Sequence, residues 1–524
     1  MNTLLPEIKY PVGIQTFSKI REQGMLYVDK TNLVYKLANS YSYVFLSRPR
    51  RFGKSLLVST LQAYFEGRKD LFKGLAMEGL ESKWESYPVL RFDLSTANYD
   101  DTEVLVKKIS SHLELMEKEF ALPASNEKYD IGDRFRFIIR AACQLTGKNV
   151  VVLVDEYDKP MLDSIHEDSL HEDLKATMRG FYSVLKESDE YIRFAMLTGV
   201  SKFGKVSIFS GLNNLRDISL NPEYNDICGI TEEEFHENFG EPVKLFAERN
   251  SISEEETWNR FKSFYDGYHF SWPAADIYNP FSTLNAFADY KLKKYWFASG
   301  SSSSLIKLIK NHPFVLQKLE GVVRTEESLS DISDLTHDLI PLLYQAGYLT
   351  IKDYDEEFES YILGFPNKEV SQGFWSSLSR YFFTKVDKYG SYGERDFMLD
   401  LMHGRADEFM TRMQSLFASL SSEQEPNKEI HFQIMLTIFV KMLGMRAVTE
   451  MHSSQGRSDI LIETPQYIYI IELKVDGTPE AALAQIREKG YARPYASDTR
   501  QKILIGANFS KETRTLTRWL IEEI

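Results

Sequence analysis

Short apolar runs alternate with helical patterns along the N-terminal part of the chain. Residues 43–46 form an apolar run typical of a buried strand. Between Leu56 and Phe65 the apolar positions lie three and four residues apart, which predicts one face of a helix. This alternation predicts an α/β fold with a parallel sheet. Further strands are predicted at 88–95, 150–154 and 191–203, and further helices at 101–120 and 133–147.

The middle of the chain has a different pattern. Residues 231–300 are predicted to be mostly helical, starting with a capping box of Thr231 and Glu234. A helix followed by a hairpin with an acidic tip is predicted over 339–365, an order similar to a winged-helix unit. Because an acidic tip repels phosphates, we interpret this hairpin as a lid or interaction module. Residues 385–396 combine turn formers with charges and are the strongest linker candidate.

The C-terminal part is predicted to run helix, strand pair, helix, strand, helix. That order matches the core of Mg²⁺-dependent nucleases. The predicted elements are a helix at 429–445, two strands at 457–462 and 467–475, a helix at 478–492, a strand at 502–509 and a final helix at 513–524.

Composition and charge are those of a soluble, cytoplasmic protein. A length of 524 residues corresponds to about three domains. No apolar run approaches the ~20 residues needed to span a bilayer, the N-terminus lacks the features of a secretion signal, and two cysteines exclude a disulfide framework. The net charge of −14 argues against non-specific coating of nucleic acid. Residues 428–524 nevertheless hold 13 Lys and Arg against 12 Asp and Glu, so this part could meet a polyanion.

The segment RPRRFGKS, at 48–55, lies between the first predicted strand and the helix after it. Strand, tight loop and helix in this order form the context in which GKS binds nucleotide phosphates. Gly53 would let the backbone approach the phosphates, Lys54 would reach the β- and γ-phosphates, and Ser55 would ligate Mg²⁺. A full motif would have glycine where this chain has Arg48, so a basic surface turn before a helix is the alternative.

The second candidate site is the end of the valine-rich strand at 150–154. This strand delivers Asp155 and Glu156 at its C-terminal end, where open α/β sheets hold their ligands. Asp155 could hold Mg²⁺ through its waters, and Glu156 could orient or deprotonate the water that attacks the γ-phosphate. Thr198, at the tip of another predicted strand, could contact the γ-phosphate or that water, or could belong to a simple turn. Together with GKS, this strand predicts binding of ATP or GTP.

Two arginines and an aromatic segment are further candidates for the nucleotide site. Arg193 and Arg216 could stabilise charge during phosphoryl transfer, although a surface role is the expected one for each. The segment 264–282 holds seven Phe, Tyr and Trp residues. Such a segment could stack on a base, but it more often packs as a lid onto a core, and we favour packing.

Two predicted strands near the C-terminus carry a third set of charged residues. Glu472 and Lys474 are two residues apart on one strand and therefore face the same side, and Asp459 opens the neighbouring strand. Asp459 and Glu472 could share one Mg²⁺ or Mn²⁺, while Lys474 could position a water or stabilise the charge of a pentacovalent phosphate. A solvated salt-bridge face is the alternative; the apolar residues around Glu472 argue against it, since a buried carboxylate needs a partner or a metal. The flanking helices add Glu429, Gln485 and Lys489.

Several motifs occur together and in order along nearly the whole chain. They are RPRRFGKS (48–55), VVLVDEYDKP (151–160), LTGVSKF (197–203), FYDGYHF (264–270), NPFS (279–282), and GRSDILI with IELK near the end. In this respect the chain resembles bacterial AAA-ATPase-like proteins that end in a PD-(D/E)XK nuclease-superfamily domain, in which an arginine resembling Arg48 is the usual variant of the first loop glycine. A role in defence against foreign DNA or in mobile elements follows by analogy only. The resemblance implies Lys54, Ser55, Asp155 and Glu156 for the nucleotide, and Asp459, Glu472 and Lys474 for the metal with Gln485 as an auxiliary.

The sequence therefore predicts an α/β protein with four parts. These are an AAA-ATPase-like P-loop NTPase domain (1–230), a helical lid and winged-helix-like region (231–385), a linker and helix (386–427), and a small PD-(D/E)XK nuclease-like domain (428–524). The predicted nucleotide-binding residues are Arg51, Gly53, Lys54, Ser55, Asp155 and Thr198. The predicted catalytic residues are Glu156, Asp459, Glu472 and Lys474, and the predicted metal ligands are Ser55, Asp155, Asp459 and Glu472.

The predicted function is binding and hydrolysis of ATP, with Mg²⁺, coupled to a Mg²⁺-dependent nuclease-like domain that acts on DNA. In the alternative, the protein is an ATP-driven conformational switch whose nuclease-like domain binds nucleic acid or protein without cleavage. A scaffold that does not depend on nucleotide is a third interpretation. ATP or GTP, and DNA or RNA, would fit these residues. We expect no membrane partner, and the chain could form a homo-oligomer.

Overall fold

The computed structural model describes residues 8–122, 129–202, 214–299, 309, 316, 319–330, 332, 338–382, 390–419, 438, 440–441, 446–452, 457–510, 512–513 and 515–524. The chain divides into two compact units. The first unit holds Met1–Ser299 and Leu319–Val370, and the second holds Gly300–Lys318 and Ser371–Ile524. None of the helices in the described ranges combines the length and apolar character needed to cross a membrane.

The first unit is built on a five-stranded parallel sheet, as the alternating pattern predicts. The strand order is β2-β3-β4-β1-β5, and each neighbouring pair is parallel. Every residue of β1 and β3 is buried, because helices cover both faces of a parallel sheet. The strands are β1 (Tyr43–Ser47), β2 (Val89–Asp93), β3 (Val150–Asp155), β4 (Ile192–Gly199) and β5 (Arg216–Asp217).

The helices predicted after the phosphate loop, at 101–120 and at 133–147 are present beside this sheet. The helix predicted over 133–147 ends as expected, with Gly147 in a left-handed conformation at its C-cap. The helices are α1 (Phe17–Glu22), α2 (Thr31–Ser40), α3 (Lys54–Phe65), α4 (Ala76–Leu80), α5 (Thr102–Glu119), α6 (Ile131–Thr146), α7 (Lys159–Asp163) and α8 (Asp168–Glu187).

A helical layer with an aromatic core follows in the same unit. Its first helix begins with the predicted capping box, in which Thr231 and Glu234 each accept from the other's backbone N–H. Phe235, Phe261 and Phe287 pack in the centre of this layer. Its elements are β6 (Ile230–Thr231), α9 (Glu232–Asn250), α10 (Glu254–Tyr265), β7 (Ile277–Tyr278), α11 (Pro280–Asp289) and α12 (Tyr295–Ala298).

A small winged-helix-like module completes the first unit. The predicted helix, strand and acidic hairpin are confirmed, and the sheet gains a third strand, giving the antiparallel order β8-β10-β9. The elements are β8 (Val322–Thr325), α13 (Glu326–Ser330), α14 (Ile340–Gln345), β9 (Thr350–Asp355) and β10 (Ser360–Gly364). The next helix, α15 (Lys368–Phe382), begins at the end of this module.

The second unit contains a five-stranded mixed sheet in the order β11-β12-β13-β14-β15. The pair β13–β14 is parallel and the other pairs are antiparallel. The predicted helix at 429–445 lies outside the described residues, apart from 438, 440 and 441. The elements are α16 (Gly390–Met402), α17 (Ala406–Ser419), β11 (Arg446–His452), β12 (Arg457–Glu463), β13 (Tyr467–Val475), α18 (Pro479–Lys489), β14 (Gln501–Ser510) and β15 (Thr515–Glu523).

The predicted final helix at 513–524 is wrong, because this segment forms strand β15. It pairs antiparallel with β14 from Ile503 to Ser510. Trp519 and Ile521 pack against one apolar cluster of the unit, whereas Leu520 packs against the other. This alternation between two faces has the period of two that a strand requires, and it outweighs the helical propensity of the acidic end.

Candidate nucleotide and metal sites

The phosphate-loop segment lies between β1 and α3, as the sequence predicts. Gly53 has φ 98°, a left-handed conformation that favours glycine, and it is the N-cap of α3. A Cβ built at Gly53 would meet nothing within 4 Å, so the space beside the loop is open. No side chain of the described residues caps this end of α3, so the positive end of its dipole carries no side-chain cap.

Lys54 and Glu156 are brought together at the C-terminal edge of the sheet. Lys54 is buried, and its Nζ donates hydrogen bonds to the carbonyl oxygens of Arg48 at 3.0 Å and Pro49 at 3.3 Å. The same Nζ lies 3.5 Å from Oε1 of Glu156. The lysine ammonium is thus held across the mouth of the loop, close to the carboxylate predicted to act as the base.

Asp155 is the centre of a second, connected set. It is buried at the end of β3, where Thr198 Oγ1 donates to its Oδ1 at 2.7 Å and the Ser55 hydroxyl also bonds its side chain. Burial raises the pKa of Asp155 above its ordinary value, and the hydrogen bonds from Ser55 and Thr198 oppose that shift. Ser55, Asp155 and Thr198, predicted from separate motifs, are therefore in contact. Thr198 is buried, and in this structure its hydroxyl bonds Asp155 and orients that carboxylate.

Glu156 has a backbone conformation that few side chains adopt. Its φ is 53°, in the left-handed region, and its N–H donates to Oδ1 of Asp155. Non-glycine residues held in this region cluster at functional sites, because the surrounding structure must compensate their strain. The turn directs the Glu156 carboxylate toward Lys54.

The candidate arginines Arg193 and Arg216 lie away from the phosphate loop, whereas Arg51 belongs to it. Arg193 follows the first residue of β4, at the opposite end of that strand from Thr198, and Arg216 is exposed on β5. Neither position favours contact with a phosphate in this unit, in agreement with the surface role. Arg51, predicted to bind nucleotide, is exposed with its guanidinium 5.0 Å from the ring centroid of Phe281.

The aromatic segment at 264–282 packs, as favoured from the sequence. Tyr268 and Phe270 are buried, and their ring centroids lie 4.7 and 5.1 Å from that of Phe52 in the phosphate loop. Edge-to-face packing of this kind stabilises aromatic pairs. The segment therefore covers the outer side of the loop and leaves neither of these two rings free to stack on a base.

The C-terminal site centres on Glu472, which is fully buried on β13. The ladder between β12 and β13 places position 459 directly opposite Glu472, as predicted; the Asp459 side chain lies outside the described part. Lys474 Nζ donates to Glu472 Oε1 at 2.9 Å and also bonds Gln485 Oε1 on α18. The alternative of a solvated salt-bridge face is wrong for Glu472, because no part of its carboxylate reaches solvent.

Two buried polar atoms at this site remain unsatisfied. Among the described residues, neither Oε2 of Glu472 nor Nε2 of Gln485 has a hydrogen-bond partner. A buried carboxylate oxygen without a partner is costly, and carboxylate oxygens are the ligands that Mg²⁺ and Mn²⁺ prefer. The described side chains alone form no cluster of three or more His, Cys, Asp or Glu, so a metal bound here would also need the side chain of Asp459. Like Asp459, the candidate Glu429 has a side chain outside the described part of the chain. If Asp459 contributes its carboxylate, the oxygen donors around Glu472 fit a divalent ion.

Comparison with known proteins identifies the N-terminal and the C-terminal domains of the chain. Residues 11–209 match a family described as "Predicted AAA-ATPase", and residues 427–519 match the PD-(D/E)XK nuclease superfamily. The "Uncharacterized protein in vnfD 5'region" of Azotobacter chroococcum mcd 1 is 34% identical over 532 residues, which cover 98% of this chain and 99% of the relative. The chain belongs to the AAA-ATPase-like family that carries a C-terminal PD-(D/E)XK nuclease-superfamily domain. A solved structure of the Aeropyrum pernix ORC2 protein (ADPNP-ADP complexes) matches 72% of this chain and 97% of its own, with a low TM-score of 0.26 and 11% identity.

In this AAA-ATPase-like protein, the arginine at the first glycine position is a buried anchor. Arg48 donates to the carbonyl oxygens of Ser47 at 2.9 Å, Ser219 at 2.8 Å and Tyr224 at 2.9 Å. Its guanidinium also lies 4.3 Å from the ring centroid of Phe270, and burial lowers its pKa. The alternative of a basic surface turn is therefore wrong at this position, because the charge points inward and ties the loop to the segment after β5.

Asp158 is a buried acid of the AAA-ATPase-like domain that the sequence reasoning missed. It accepts from the N–H of Val200 and from both the N–H and Oγ of Ser201. Burial raises its pKa, and the nearby Glu156 charge raises it further. Gly199 is required here, since a Cβ at that position would lie 2.5 Å from Asp158 Oδ1. Asp158 belongs to the DEYDKP motif at 155–160, so this motif could have identified it as a candidate site residue.

We expect Arg48→Met to lower the free energy of unfolding of the first unit by about 3 kcal/mol. Methionine keeps the apolar stem but removes the Arg48 donors from the carbonyl oxygens of Ser47, Ser219 and Tyr224. The Tyr224 oxygen still accepts from the N–H of Ile227 at 3.4 Å, and each oxygen left unsatisfied costs about 1–3 kcal/mol. The matched control is Arg50→Met, an exposed arginine of the same loop, whose effect should stay within about 0.5 kcal/mol. Urea unfolding of both variants measures the difference, and equal midpoints would contradict the anchoring role.

Proposed function

We propose that this protein binds ATP with Mg²⁺ at the edge formed by the phosphate loop, β3 and β4, and hydrolyses it. The observation that carries the proposal is the convergence of Lys54, Ser55, Asp155, Glu156 and Thr198 from three separate segments. Their chemistry matches the three needs of phosphoryl transfer, which are a cation for the phosphates, oxygen ligands for the metal, and a base for the water.

Each residue has a part in the proposed reaction. Lys54 would leave the carbonyls of Arg48 and Pro49 and neutralise charge on the β- and γ-phosphates. Ser55 and Asp155 would hold Mg²⁺, which supplies charge neutralisation between the phosphates. Glu156 would accept the proton of the water that attacks the γ-phosphorus as the bond to the β-phosphate oxygen breaks, giving ADP and phosphate.

We further propose that the C-terminal unit is a Mg²⁺-dependent nuclease site acting on DNA, coupled to the state of the nucleotide. Glu472 and Asp459 would hold the ion, which supplies charge stabilisation at the phosphodiester. Lys474 lies beside Glu472 and would position a water or stabilise the developing charge. The unsatisfied buried oxygen of Glu472 supports this assignment.

A second function is favoured by one contact. Because Lys474 already pairs with Glu472 at 2.9 Å, the buried charge is compensated without any metal. A unit held together in this way could bind nucleic acid or protein without cleavage, while the ATPase part acts as a conformational switch. We also propose a cytoplasmic location, supported by the free thiols of Cys143 and Cys228, and a homo-oligomeric state remains part of the same proposal.

The direct test is nucleotide binding by the full chain. ATP should bind to the wild type in the presence of Mg²⁺, and Lys54→Met should weaken the affinity at least about tenfold, since a buried cation is lost from the phosphate site. Lys36→Met, which changes an exposed lysine on α2, is the control and should leave the affinity unchanged. Absence of ATP binding by the wild type would overturn the proposal, and DNA cleavage with and without ATP distinguishes the two functions of the C-terminal unit.

A further inference from the structure

Glu369 is a buried carboxylate at the start of α15 that has no part in the reactions proposed above. It is fully buried, and its Oε1 accepts from the N–H of Trp296 at 2.8 Å and from Oγ of Ser282 at 3.0 Å. Within the described residues no Lys, Arg or His pairs with it, and Oε2 has no hydrogen-bond partner. An isolated buried charge is unfavourable, so this carboxyl is expected to be held in its neutral form.

The two segments that donate to Glu369, around Ser282 and Trp296, also contact the phosphate loop. Trp296 Nε1 donates to the carbonyl oxygen of Arg50 at 3.0 Å. The neighbour of Ser282, Phe281, carries the Arg51 guanidinium 5.0 Å from its ring centroid. The consecutive loop residues Arg50 and Arg51 therefore contact two segments, and each of these segments donates a hydrogen bond to Oε1 of Glu369.

These contacts constrain the part of the loop that a nucleotide would use. The loop has to present its backbone N–H groups in one arrangement, and such pre-organisation strengthens binding by removing the need to order the loop. The Trp296 bond fixes the peptide group between Arg50 and Arg51 from outside the sheet. The strength of that fixation depends on where Glu369 holds Trp296.

We propose that Glu369 is a positioning residue of the nucleotide site, which acts through Trp296 and Ser282 to fix the phosphate loop in the form that binds ATP. This inference rests on the proposed ATP binding. It adds that the loop is set in part by the first turn of α15, a helix distant in sequence from the loop.

The charge state of Glu369 supplies an observable consequence. Burial raises its pKa to about 7, well above the usual range of a glutamate. The titratable groups facing it are the phenols of Tyr265, Tyr268 and Tyr295, and burial raises the pKa of each, so they remain neutral near pH 7. Loss of the proton as pH rises through about 7 would leave a buried charge without a cation, so the arrangement that buries Glu369 loses stability relative to one that exposes it. That change would loosen the loop and weaken ATP binding.

The experiment is to measure ATP affinity of the full chain by titration calorimetry between pH 6 and pH 8.5. Trp296→Phe keeps an aromatic ring but removes the donor to Arg50, so at pH 6 it should weaken affinity about three- to tenfold, the effect of one hydrogen bond. The control Trp258→Phe also replaces an indole by a phenyl ring, at a tryptophan whose ring centroid lies 4.2 Å from that of His236, and should match the wild type. Ser282→Ala, which removes the second donor to Glu369, should change affinity in the same direction.

Glu369→Gln separates positioning from a purely structural role. Glutamine keeps the oxygen that accepts from Trp296 and Ser282 but cannot ionise, so its affinity relative to wild type should rise at least about threefold from pH 6 to pH 8.5. The ratio of the two proteins at each pH cancels the titration of ATP itself. Equal affinity of Trp296→Phe and Trp258→Phe, or a constant ratio between Glu369→Gln and wild type, would overturn the inference. A wild type that binds no ATP at any pH would instead overturn the proposed function and the inference together.

Discussion

Replacing Glu156 with glutamine should lower the rate of ATP hydrolysis about 10²–10⁴-fold, the range that a general base contributes. ATP affinity should stay close to that of the wild type, because the amide keeps the shape of the side chain and its place beside Lys54. The left-handed turn at Glu156 fixes the direction of the group, so a glutamine there would still point into the site but could not accept the proton. Phosphate release under saturating ATP and calorimetric titration of ATP measure the two quantities separately.

The control for this variant is Glu167→Gln, which changes an exposed carboxylate beyond β3. It should hydrolyse ATP at the wild-type rate. If Glu156→Gln also turns over ATP normally, the proton must go to another group, and Glu156 would be assigned to the ion pair with Lys54 alone.

The second large effect is expected at the other end of the chain. Glu472→Gln should weaken Mn²⁺ binding at least about 100-fold and reduce DNA cleavage by the same factor, since loss of a ligand exceeds the 10–100-fold cost of losing a group that only orients one. In this variant an amide replaces the buried carboxylate whose Oε2 has no partner in the described structure, and a neutral amide binds cations poorly. Calorimetry with Mn²⁺ on the full chain measures the first effect, and cleavage of labelled DNA measures the second.

Glu463→Gln provides the matched control, because Glu463 lies on the neighbouring strand β12 and pairs with Arg500. Both variants lose one carboxylate from the same sheet, so a general weakening of the unit would affect them alike. Unchanged Mn²⁺ binding in Glu472→Gln would favour the non-cleaving alternative, in which Lys474 rather than a metal compensates the buried charge.

Much of the fold was predictable because its strongest signals are local. The apolar runs that became β1 and β3 are buried on both faces, and a run of that kind has few alternatives within a parallel sheet. The sequence predicts a helix where β15 lies, because the acidic end of this segment suits a helix as well as a strand edge. Its partner β14 decided the outcome, and pairing between segments does not show in local periodicity.

The candidate sites divide in the same way. Lys54 and Asp155 were identified because each lies inside a short motif at the end of a predicted strand, and the parallel sheet brings such ends together. The buried acids Asp158 and Glu369 were missed, since what distinguishes them is burial by residues distant in sequence. The motif locates Arg48 but does not predict that its side chain points inward, because its acceptors at Ser219 and Tyr224 belong to a segment far along the chain.

The distance along the chain between Arg48 and its acceptors has a consequence for synthesis on the ribosome. Ser219 lies 171 residues and Tyr224 176 residues beyond Arg48. At about 5–20 residues per second, translation takes roughly 10–35 seconds to deliver them after the arginine has emerged. Throughout that interval the Arg48 guanidinium has the Ser47 carbonyl beside it but lacks the oxygens of Ser219 and Tyr224 that anchor it in the folded unit. On the proposed function, tight binding of nucleotide would therefore wait until the sheet and the segment beyond it have left the exit tunnel.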